Sequence, residues 1–251
     1  MAQLQAVFWD VDGTLADTEM DGHRPAFNRA FQELGLDWHW DRDLYQRLLG
    51  IPGGRQRVAF YAREQGRELS DASLDQLRDC KQQHYLERIG SGAVRLRPGV
   101  ARLLDELQHA DVGQWIVTSS GQASVDALLQ GLFGEQGHPF AGVVSSNDVN
   151  RHKPHPDPYH CALARSGASV DACVALEDSA AGLVAATEAS LICLLTPSAW
   201  DRDLPSQLQR ASAVIDHLGE VDRPLSQRSG PPCAEGMITL EYLEMLLASS
   251  L

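Results

Sequence analysis

Short apolar segments alternate with helical segments along most of this 251-residue chain. Their length and their β-branched or aromatic content are typical of buried strands. Consecutive parallel strands need a long crossover, usually a helix, so this alternation predicts a parallel sheet with helices on both faces. We therefore expect a doubly wound (Rossmann-like) α/β core. The predicted strands are residues 4–9, 115–117, 143–144, 173–176, 191–195 and 213–215.

One long helical stretch interrupts this alternation. Residues 17–93 carry helical periodicity and no strand pattern, which predicts an all-helical cap inserted after the first strand. The core would then consist of residues 1–16 and 94–222. A C-terminal extension, residues 223–251, should pack on that core, with a loop or linker over 223–236 followed by an amphipathic helix.

The charge balance limits the classes of partner. The chain has 34 acidic residues against 21 Lys and Arg, giving a net charge of -13 without a long basic run. This argues against nucleic acid or an anionic membrane as the main partner. Five cysteines without a C-x-x-C pair indicate reduced thiols in a cytoplasmic compartment. We expect a monomer, without a signal or transit peptide at its N-terminus, that acts on a small molecule.

Two carboxyl groups directly follow the first predicted strand. Asp10 and Asp12 are two residues apart and therefore project to the same side. Unpaired, they would repel each other, whereas a divalent cation removes that conflict, and oxygen ligands suit Mg²⁺. We predict Asp10 as a nucleophile towards phosphorus and Asp12 as the acid that protonates the leaving oxygen and then activates water. Taken alone, such a pair also fits a solvated acidic turn.

Polar groups follow three later strands as well. Thr118, Ser119 and Ser120 offer hydroxyl and N–H groups for phosphoryl oxygens, although an ordinary strand-end turn has the same composition. Lys153, in a proline-rich segment, can neutralise charge on a transferring phosphoryl group or lie on the surface. Ligands bind where parallel strands end, so we expect these groups to converge.

Glu177 and Asp178 follow the apolar segment 173–176. Acids at the end of a buried strand need a partner, because an unpaired buried charge is costly. A metal ion shared with Asp10 is the natural partner. We therefore predict a metal site that contains Asp10, Asp12, Glu177 and Asp178.

Together these motifs resemble those of the haloacid dehalogenase superfamily of phosphotransferases. The resemblance implies an aspartyl-phosphate mechanism, with Mg²⁺ bound by Asp10, the backbone carbonyl of Asp12, and Asp178. A helical insertion after the first motif implies a cap that closes over small substrates. The matching motifs are Asp10-Val11-Asp12-Gly13-Thr14, Thr118, Lys153-Pro154 and Glu177-Asp178.

Further segments resemble the CbbY-like proteins of photosynthetic organisms. This resemblance implies removal of the carbon-1 phosphate from xylulose 1,5-bisphosphate, a Rubisco inhibitor, to give xylulose 5-phosphate. Asp21-Gly22 is similar to the plant and cyanobacterial branch, which implies the plastid stroma if the chain comes from a plant. Arg55 departs from the family, which usually has lysine there. The matching segments are residues 17–24, 36–41, 48–49, 53–57 and 96–100.

The predicted cap contains candidates for holding a second phosphate. A loop with Gly53 and Gly54 supplies backbone N–H groups, and Arg55 and Arg57 supply guanidinium groups suited to phosphate. Binding of that phosphate can orient the reacting end. Lys81 matches a lysine of the family's cap, although a solvated helix lysine fits the sequence nearly as well.

Two polar residues of the first cap helix are candidates for sugar hydroxyls. They are Glu19 and His23, but His23 also lies on the apolar stripe of that helix and can be a core histidine. A capping box, Thr18-x-x-Asp21, is predicted to open the helix. Trp38 and Trp40, which follow in sequence, are interpreted as packing residues.

Three other functions fit parts of the pattern. A mutase of the β-phosphoglucomutase kind would use the same phospho-aspartate to rephosphorylate a bound sugar, and a phosphoglycolate phosphatase would differ only in substrate. A non-catalytic sugar-phosphate sensor would be expected to lack part of the machinery. Asp10, Asp12, Lys153 and Asp178 are all present, which argues against the sensor.

Overall fold

The computed structural model describes residues 3–51, 53–198 and 208–249. In these ranges seven strands form one sheet in the order β3-β2-β1-β4-β5-β6-β7. Neighbouring strands are parallel except β6 and β7, so the predicted α/β fold class is confirmed. The strands are β1 (Ala6–Trp9), β2 (Gly113–Val117), β3 (Gly142–Val144), β4 (Cys173–Glu177), β5 (Ile192–Leu195), β6 (Ala213–Ile215) and β7 (Gln227–Ser229).

Helices connect the parallel strands and fill the long segment after β1. A π-helical segment, Glu19–His23, directly precedes the first α-helix. The α-helices of the described residues are α1 (Arg24–Glu33), α2 (Arg42–Leu49), α3 (Gly54–Glu64), α4 (Asp71–Gly90), α5 (Val100–His109), α6 (Gln122–Phe133), α7 (Asp157–Ser166), α8 (Ala180–Glu188) and α9 (Leu240–Ala248).

The central strand β1 is buried on both faces. Val7 and Trp9 belong to the hydrophobic cluster on one face, whereas Ala6 and Phe8 belong to the cluster on the other. This follows from the two-residue period of a strand. Trp9 is level with a residue of β2 on one side and of β4 on the other. The residues that follow β1, β2 and β4 therefore emerge at one edge of the sheet.

A third hydrophobic cluster is rich in aromatic side chains. Trp40 is fully buried, with its ring centre 4.8 Å from that of Phe31 and 5.6 Å from that of Tyr61, both in edge-on contact. Trp38 packs edge-on against Phe31 at 5.5 Å. The two tryptophans are therefore packing residues, as predicted. All buried members of this cluster lie between Met20 and Leu77.

Helix α4 joins this aromatic cluster to the sheet. Leu74 and Leu77 belong to the aromatic cluster, whereas Tyr85 and Ile89 belong to a cluster on the sheet. Near Ile89 the helix crosses α6 at Gly131, where an added Cβ would lie 3.0 Å from the Ile89 carbonyl carbon. The small residue thus permits a close helix crossing.

The predicted capping box is wrong. Thr18 precedes the π-helical segment, but its side chain makes no capping hydrogen bond. Its hydroxyl instead donates to the carboxylate of Asp12. Asp17 accepts from the backbone N–H of Met20 at 3.2 Å. The turn after β1 folds back and brings Thr18 beside Asp12, a tertiary contact that competes with local capping.

The interpretation of residues 223–236 as only a loop or linker is also wrong. Strand β7 lies within this segment and pairs antiparallel with β6, with Ser229 opposite Val214. The Gln227 side chain donates to the Pro231 carbonyl at 2.6 Å and accepts from the Cys233 N–H at 3.0 Å. A three-residue polar edge strand has no apolar alternation, so its sequence resembles that of a loop.

The side chains of α9 pack against the sheet. Leu243 and Leu246 belong to the same cluster as Val7 and Trp9. All five cysteines are free thiols. Among the described residues, no helix has both the length and the apolar composition that crossing a bilayer requires.

Replacing Gly99 by Ala should strongly destabilise the fold. Gly99 has φ +83° at the start of α5, and a Cβ there would lie 2.6 Å from the carbonyl carbon of Leu218 and 2.8 Å from the nitrogen of Gly219. We expect the free energy of unfolding to fall by about 3 kcal/mol, because backbone strain and a backbone clash combine. Chemical denaturation measures this loss.

Gly35→Ala is the matched control. Gly35 has φ +67°, but no atom lies within 4 Å of its added Cβ. Only the left-handed backbone is penalised, at about 1 kcal/mol. Equal losses in the two variants would contradict the packing described around Gly99.

Candidate active site

A cavity of about 900 Å³ opens at the carboxyl edge of the sheet. It lies where the parallel strands end, the usual ligand position in this kind of sheet. Residues that follow β1, β2 and β4 line one side, and residues of α2 line another. The lining includes the predicted residues Asp10, Asp12, Glu19, Thr118, Ser119, Lys153 and Asp178.

The ammonium group of Lys153 lies at the base of this cavity. It donates to Asp10 Oδ1 at 2.7 Å and to the Val117 carbonyl at 2.7 Å, and it lies 2.6 Å from Glu177 Oε1. Burial alone would lower the pKa of Lys153, but the two carboxylates outweigh it and raise the pKa above its usual value. Lys153 is therefore a buried, permanently charged group and not a surface lysine.

Glu177 holds this lysine from below. Its carboxylate is fully buried, and Oε1 also accepts from the hydroxyl of Tyr159. Glycine is required at position 182, because a Cβ there would collide with the Glu177 carboxylate. Glu177 Oε2 has no hydrogen-bond partner among the described residues. One oxygen thus serves Lys153 and the other stays available.

Asp10 and Asp178 approach each other closely. Ligand oxygens of Asp10, Glu177 and Asp178 all lie within 4.8 Å of one another. Burial, opposed by Lys153, raises the pKa of Asp10 to about 7, and burial together with the charge of Asp10 raises the pKa of Asp178 well above its usual value. Gly13, at φ +94°, permits this approach because a Cβ would overlap the Asp178 carboxylate.

The cavity is acidic despite its lysine. Its described lining contains two basic groups, Lys153 and Arg47, against the carboxyl groups of Asp10, Asp12, Glu19, Asp43 and Asp178. A phosphate dianion would be repelled unless a cation offset this charge. The donors that meet at Asp10 are all carboxylate oxygens, which suit a hard divalent cation. The residues present therefore fit a divalent metal.

The side chain of Asp12 lies outside the carboxylate cluster formed by Asp10, Glu177 and Asp178. Its two oxygens accept from the hydroxyls of Thr18 and Ser120, the latter at 2.5 Å. These contacts point the carboxyl group into the cavity beside Asp10. A metal contact through the Asp12 backbone carbonyl stays a prediction.

The residues that follow β2 have two different roles. Thr118 and Ser119 line the cavity. The hydroxyl oxygen of Thr118 accepts from the Ser120 N–H at 3.0 Å, which leaves its O–H free to donate to a ligand. Ser120 does not line the cavity, and its contact with substrate stays a prediction. Its hydroxyl instead orients Asp12.

Glu19, the first residue of the π-helical segment after β1, reaches the cavity. Its carboxylate accepts from the hydroxyl of Tyr45 at 2.6 Å, and burial raises its pKa above the usual value. Arg57 lies behind this pair and donates to Tyr45 Oη at 3.0 Å and to the Leu48 carbonyl at 3.1 Å. Arg57 is therefore a buried support of Glu19 and not a lining residue.

His23 and Lys81 form a second pair, which is half-buried. The Lys81 ammonium donates to His23 Nδ1 at 2.8 Å, and the imidazole stacks on Tyr85 with ring centres 4.0 Å apart. Burial lowers the pKa of His23 well below its usual value and that of Lys81 to about 8. Neither side chain lines the cavity that contains Asp10, and their contact with substrate stays a prediction.

The predicted phosphate-binding loop has a different conformation. Gly53 precedes α3 and Gly54 begins it, so this segment is a helix start. Arg55 lies 2.6 Å from Asp71 and 3.7 Å from Asp75, two residues of α4. In this structure neither Arg55 nor the glycines line the cavity that contains Asp10, because the helix turns them towards α4.

Three polar lining residues from α2 were not predicted. Asp43, Gln46 and Arg47 project from α2 into the cavity. They lie three and four positions apart on one polar helix face, a pattern that is typical of a solvent-facing surface. Arg47 pairs with Glu64 through two contacts of 2.8 and 2.9 Å.

Arg97 fixes the turn that carries Asp10 and Asp12. Its guanidinium donates to three carbonyl oxygens, those of Gly13, Thr196 at 2.9 Å and Asp216 at 2.7 Å. The turn after β1 is thereby tied to the ends of β5 and β6. Arg97 belongs to one of the segments used for the sequence resemblance, but only the structure assigns it this role.

The model of the haloacid dehalogenase-like hydrolase family matches residues 7–195 of the chain. The chain belongs to this family. The match covers β1 to β5 and therefore includes each strand whose end contributes to the cavity. Members of this family generally use a divalent metal, which agrees with the carboxylate cluster around Asp10.

Within the haloacid dehalogenase-like hydrolases, the chain is similar to CbbY proteins. It is 40% identical to the plasmid-encoded CbbY of Cupriavidus necator, over 89% of each chain, and 42% identical to CbbY of Rhodobacter capsulatus, over 80% of this chain and 88% of the other. A crystal structure of an Asp-to-Asn variant of CbbY from Rhodobacter sphaeroides, in complex with xylulose-(1,5)bisphosphate, covers 87% of this chain and 96% of its own. It has a TM-score of 0.71 and 32% identity. The chain is an enzyme of the phosphatase type that this family and these relatives represent.

A divalent cation such as Mg²⁺ should raise the Tm more at pH 8 than at pH 5. Without a cation, the raised pKa values of Asp10 and Asp178 keep these carboxyl groups protonated in the folded state at pH 5. The metal must then displace protons, which weakens its binding. For the same reason Asp10 binds a proton more tightly in the folded metal-free protein, so its contribution to stability falls as pH rises from 3.8 to about 7. Thermal unfolding at several pH values measures both effects.

Asp178→Asn should abolish most of the cation-dependent shift, because it removes one ligand oxygen. Asp43→Asn is the matched control, since Asp43 lines the cavity but lies outside the carboxylate cluster. An equal shift at both pH values, or one that Asp178→Asn leaves intact, would contradict the assigned metal site.

Proposed function

We propose that this hydrolase is a magnesium-dependent sugar-bisphosphate phosphatase, which converts xylulose 1,5-bisphosphate to xylulose 5-phosphate. The main support is the likeness over most of the chain to the CbbY variant with bound xylulose bisphosphate. The acidic cavity with its buried lysine suits the chemistry of phosphate transfer to a carboxylate. The removed phosphate is the one on carbon 1.

Asp10 acts as the nucleophile. One of its oxygens accepts from Lys153, which favours the ionised carboxylate and fixes its orientation. The other oxygen attacks phosphorus, and the bond from phosphorus to the sugar oxygen breaks. Thr118 donates its free O–H to a phosphoryl oxygen, and Lys153 offsets developing negative charge. The product of this step is a phospho-aspartate at Asp10.

Asp12 supplies and then recovers the proton. Its carboxyl group, held by Thr18 and Ser120, gives a proton to the departing sugar oxygen. In the second step Asp12 removes a proton from a water molecule, which attacks phosphorus and releases inorganic phosphate from Asp10. Asp12 is then protonated again, as it was at the start of the cycle.

Asp10 and Asp178 would hold Mg²⁺ together with the backbone carbonyl of Asp12, and Glu177 is close enough to contribute. The bound ion would offset the charge of the phosphate and of the surrounding carboxylates. Hydroxyl and amide groups of residues 118 and 119 would then orient the phosphoryl group.

Residues 17–93 would act as a cap over this reaction. Glu19, held by Tyr45, reaches the cavity and offers acceptor oxygens to sugar hydroxyls. The second phosphate of a bisphosphate needs a cation on the same side of the cavity. Arg47 is the basic side chain of α2 that lines the cavity, and we assign it the contact with the second phosphate. On binding that phosphate, Arg47 would release its present partner Glu64.

This activity would remove an inhibitor of Rubisco and return its carbon to sugar-phosphate metabolism of the Calvin cycle. The free thiol state of all five cysteines supports a reducing, cytosol-like compartment. A small phosphorylated metabolite would be the only partner that the reaction needs, and a monomer suffices because every assigned residue belongs to one chain.

A phosphate-release panel tests the proposal. Purified protein is incubated with xylulose and ribulose bisphosphates, glucose phosphates, fructose 1-phosphate and phosphoglycolate, with Mg²⁺ present or chelated. We expect the highest kcat/KM for xylulose 1,5-bisphosphate, stoichiometric release of inorganic phosphate and loss of turnover on chelation. Asp10→Asn should lower kcat by about 10⁴-fold or more while the protein still folds.

Other outcomes distinguish the alternatives. Isomerised sugar phosphate without phosphate release would indicate the mutase, and preference for phosphoglycolate would indicate that phosphatase. Binding of sugar phosphates without any turnover would favour a sensor. Turnover that Asp10→Asn leaves unchanged would refute the assigned nucleophile.

Arg47→Met should raise KM for the bisphosphate about tenfold or more, because it removes a charge-assisted contact to the second phosphate. KM for xylulose 1-phosphate, which lacks that phosphate, should change little. Arg55→Met is the matched control, since Arg55 pairs with Asp71 outside the cavity. If Arg55→Met instead raises KM for the bisphosphate, the loop assignment made from sequence is correct and α3 must rearrange when substrate binds.

A further inference from the structure

Three side chains with metal-binding atoms meet where α1 and α4 lie side by side. They are Glu33, at the end of α1, and Cys80 and His84, one turn apart on α4. The Glu33 carboxylate, the Cys80 thiol and an imidazole nitrogen of His84 all lie within 4.8 Å of one another. None of the three lines the cavity that contains Asp10, so the proposed phosphatase reaction does not use them.

The three side chains already share one hydrogen-bonded arrangement. His84 Nε2 lies 2.7 Å from Glu33 Oε2. Burial raises the pKa of the Cys80 thiol. The charge of Glu33 and a hydrogen bond between Cys80 and Glu33 raise it further. The His84 side chain is only 13% exposed, whereas that of Glu33 is 59% exposed and can adjust by rotation. A helix with ligands four positions apart presents both on one face.

Glu87 completes the arrangement behind the imidazole. Its Oε2 lies 3.5 Å from His84 Nδ1, on the ring side opposite Glu33. Metal-binding histidines typically donate their second ring N–H to a carboxylate, which fixes the tautomer and the ring orientation. Glu87 is therefore positioned to hold the proton on Nδ1 and leave Nε2 free for an ion. An ordinary surface ion pair between Glu33 and His84 does not require this second carboxylate.

We propose that Glu33, Cys80 and His84 form a binding site for a Zn²⁺-type cation, with Glu87 orienting the histidine. A thiolate, an imidazole and a carboxylate are a typical zinc donor set, and a water molecule would complete a tetrahedron. Nitrogen and oxygen ligands of one tetrahedral zinc ion lie about 3.3 Å apart. His84 and Glu33 would have to separate by less than 1 Å from their present contact, which rotation of the exposed Glu33 side chain provides.

Magnesium does not compete for this site. Mg²⁺ prefers oxygen ligands, whereas a thiolate and an imidazole favour zinc or cobalt. The two metal sites of the protein would therefore select different metal ions, because their ligand atoms differ. The cation would cross-link α1 to α4 on a face about 100° around the helix from Lys81 and Tyr85, which contact His23. Its expected effect is on the stability of the helical segment rather than on phosphate transfer.

The test uses full-length protein in excess Mg²⁺ and follows Co²⁺ binding by absorption. A thiolate ligand gives cobalt a near-ultraviolet charge-transfer band, which an all-oxygen site cannot produce. We expect this band to saturate at one equivalent and Zn²⁺ to displace it. Saturating Zn²⁺ should raise the Tm by about 5 °C. Cys80→Ser should abolish both signals, and Glu87→Gln should weaken cobalt affinity about tenfold or more.

Two matched variants control for unspecific binding. Cys233→Ser removes another partly exposed thiol, and His109→Ala removes a histidine that pairs with Asp105 on one helix without a thiol nearby. Both should bind cobalt as the unmodified protein does, and all variants should release phosphate at the unmodified rate in Mg²⁺. Absence of the band, or a band that survives Cys80→Ser or is lost in Cys233→Ser, would overturn the proposal. These readouts do not depend on which phosphorylated substrate the enzyme uses.

Discussion

The active edge of the sheet depends on one buried ammonium group. Lys153 joins Asp10, after β1, to Glu177, in β4, and to the backbone carbonyl of Val117, in β2. Two buried carboxylates without this cation would be strongly unfavourable, and so would a buried ammonium without them. The segment after β3 is therefore held at the centre of the sheet.

The sequence was sufficient to predict the fold and the centre of the site. The short apolar segments that became β1, β2 and β4 end at Asp10, Thr118 and Asp178 or next to them, and a parallel sheet must bring such ends to one edge. Lys153 could be added because its flanking motif resembles that of a family. These inferences succeed because they depend on strand order and burial, which local composition encodes.

The positions of long polar side chains could not be predicted in the same way. Arg57 and Arg55 look equally suited to phosphate in the sequence, yet one is buried behind Tyr45 and the other pairs with Asp71. Ser120 orients Asp12, which is 108 positions away in the chain. Such partners are selected by tertiary contacts. For the same reason the polar edge strand β7 had the composition of a loop.

Helix α4 has a mechanical consequence for any closure of the helical segment. One end packs into the aromatic cluster and the other against the sheet, where Gly131 allows α6 to approach Ile89. A continuous helix of 20 residues is about 30 Å long. If α4 turned as a rigid rod about this crossing, a tilt of about 5° would displace its far end by about 2.6 Å. A small rotation at the crossing would thus become a movement at the other end of the helix that is large enough to break or form a hydrogen bond.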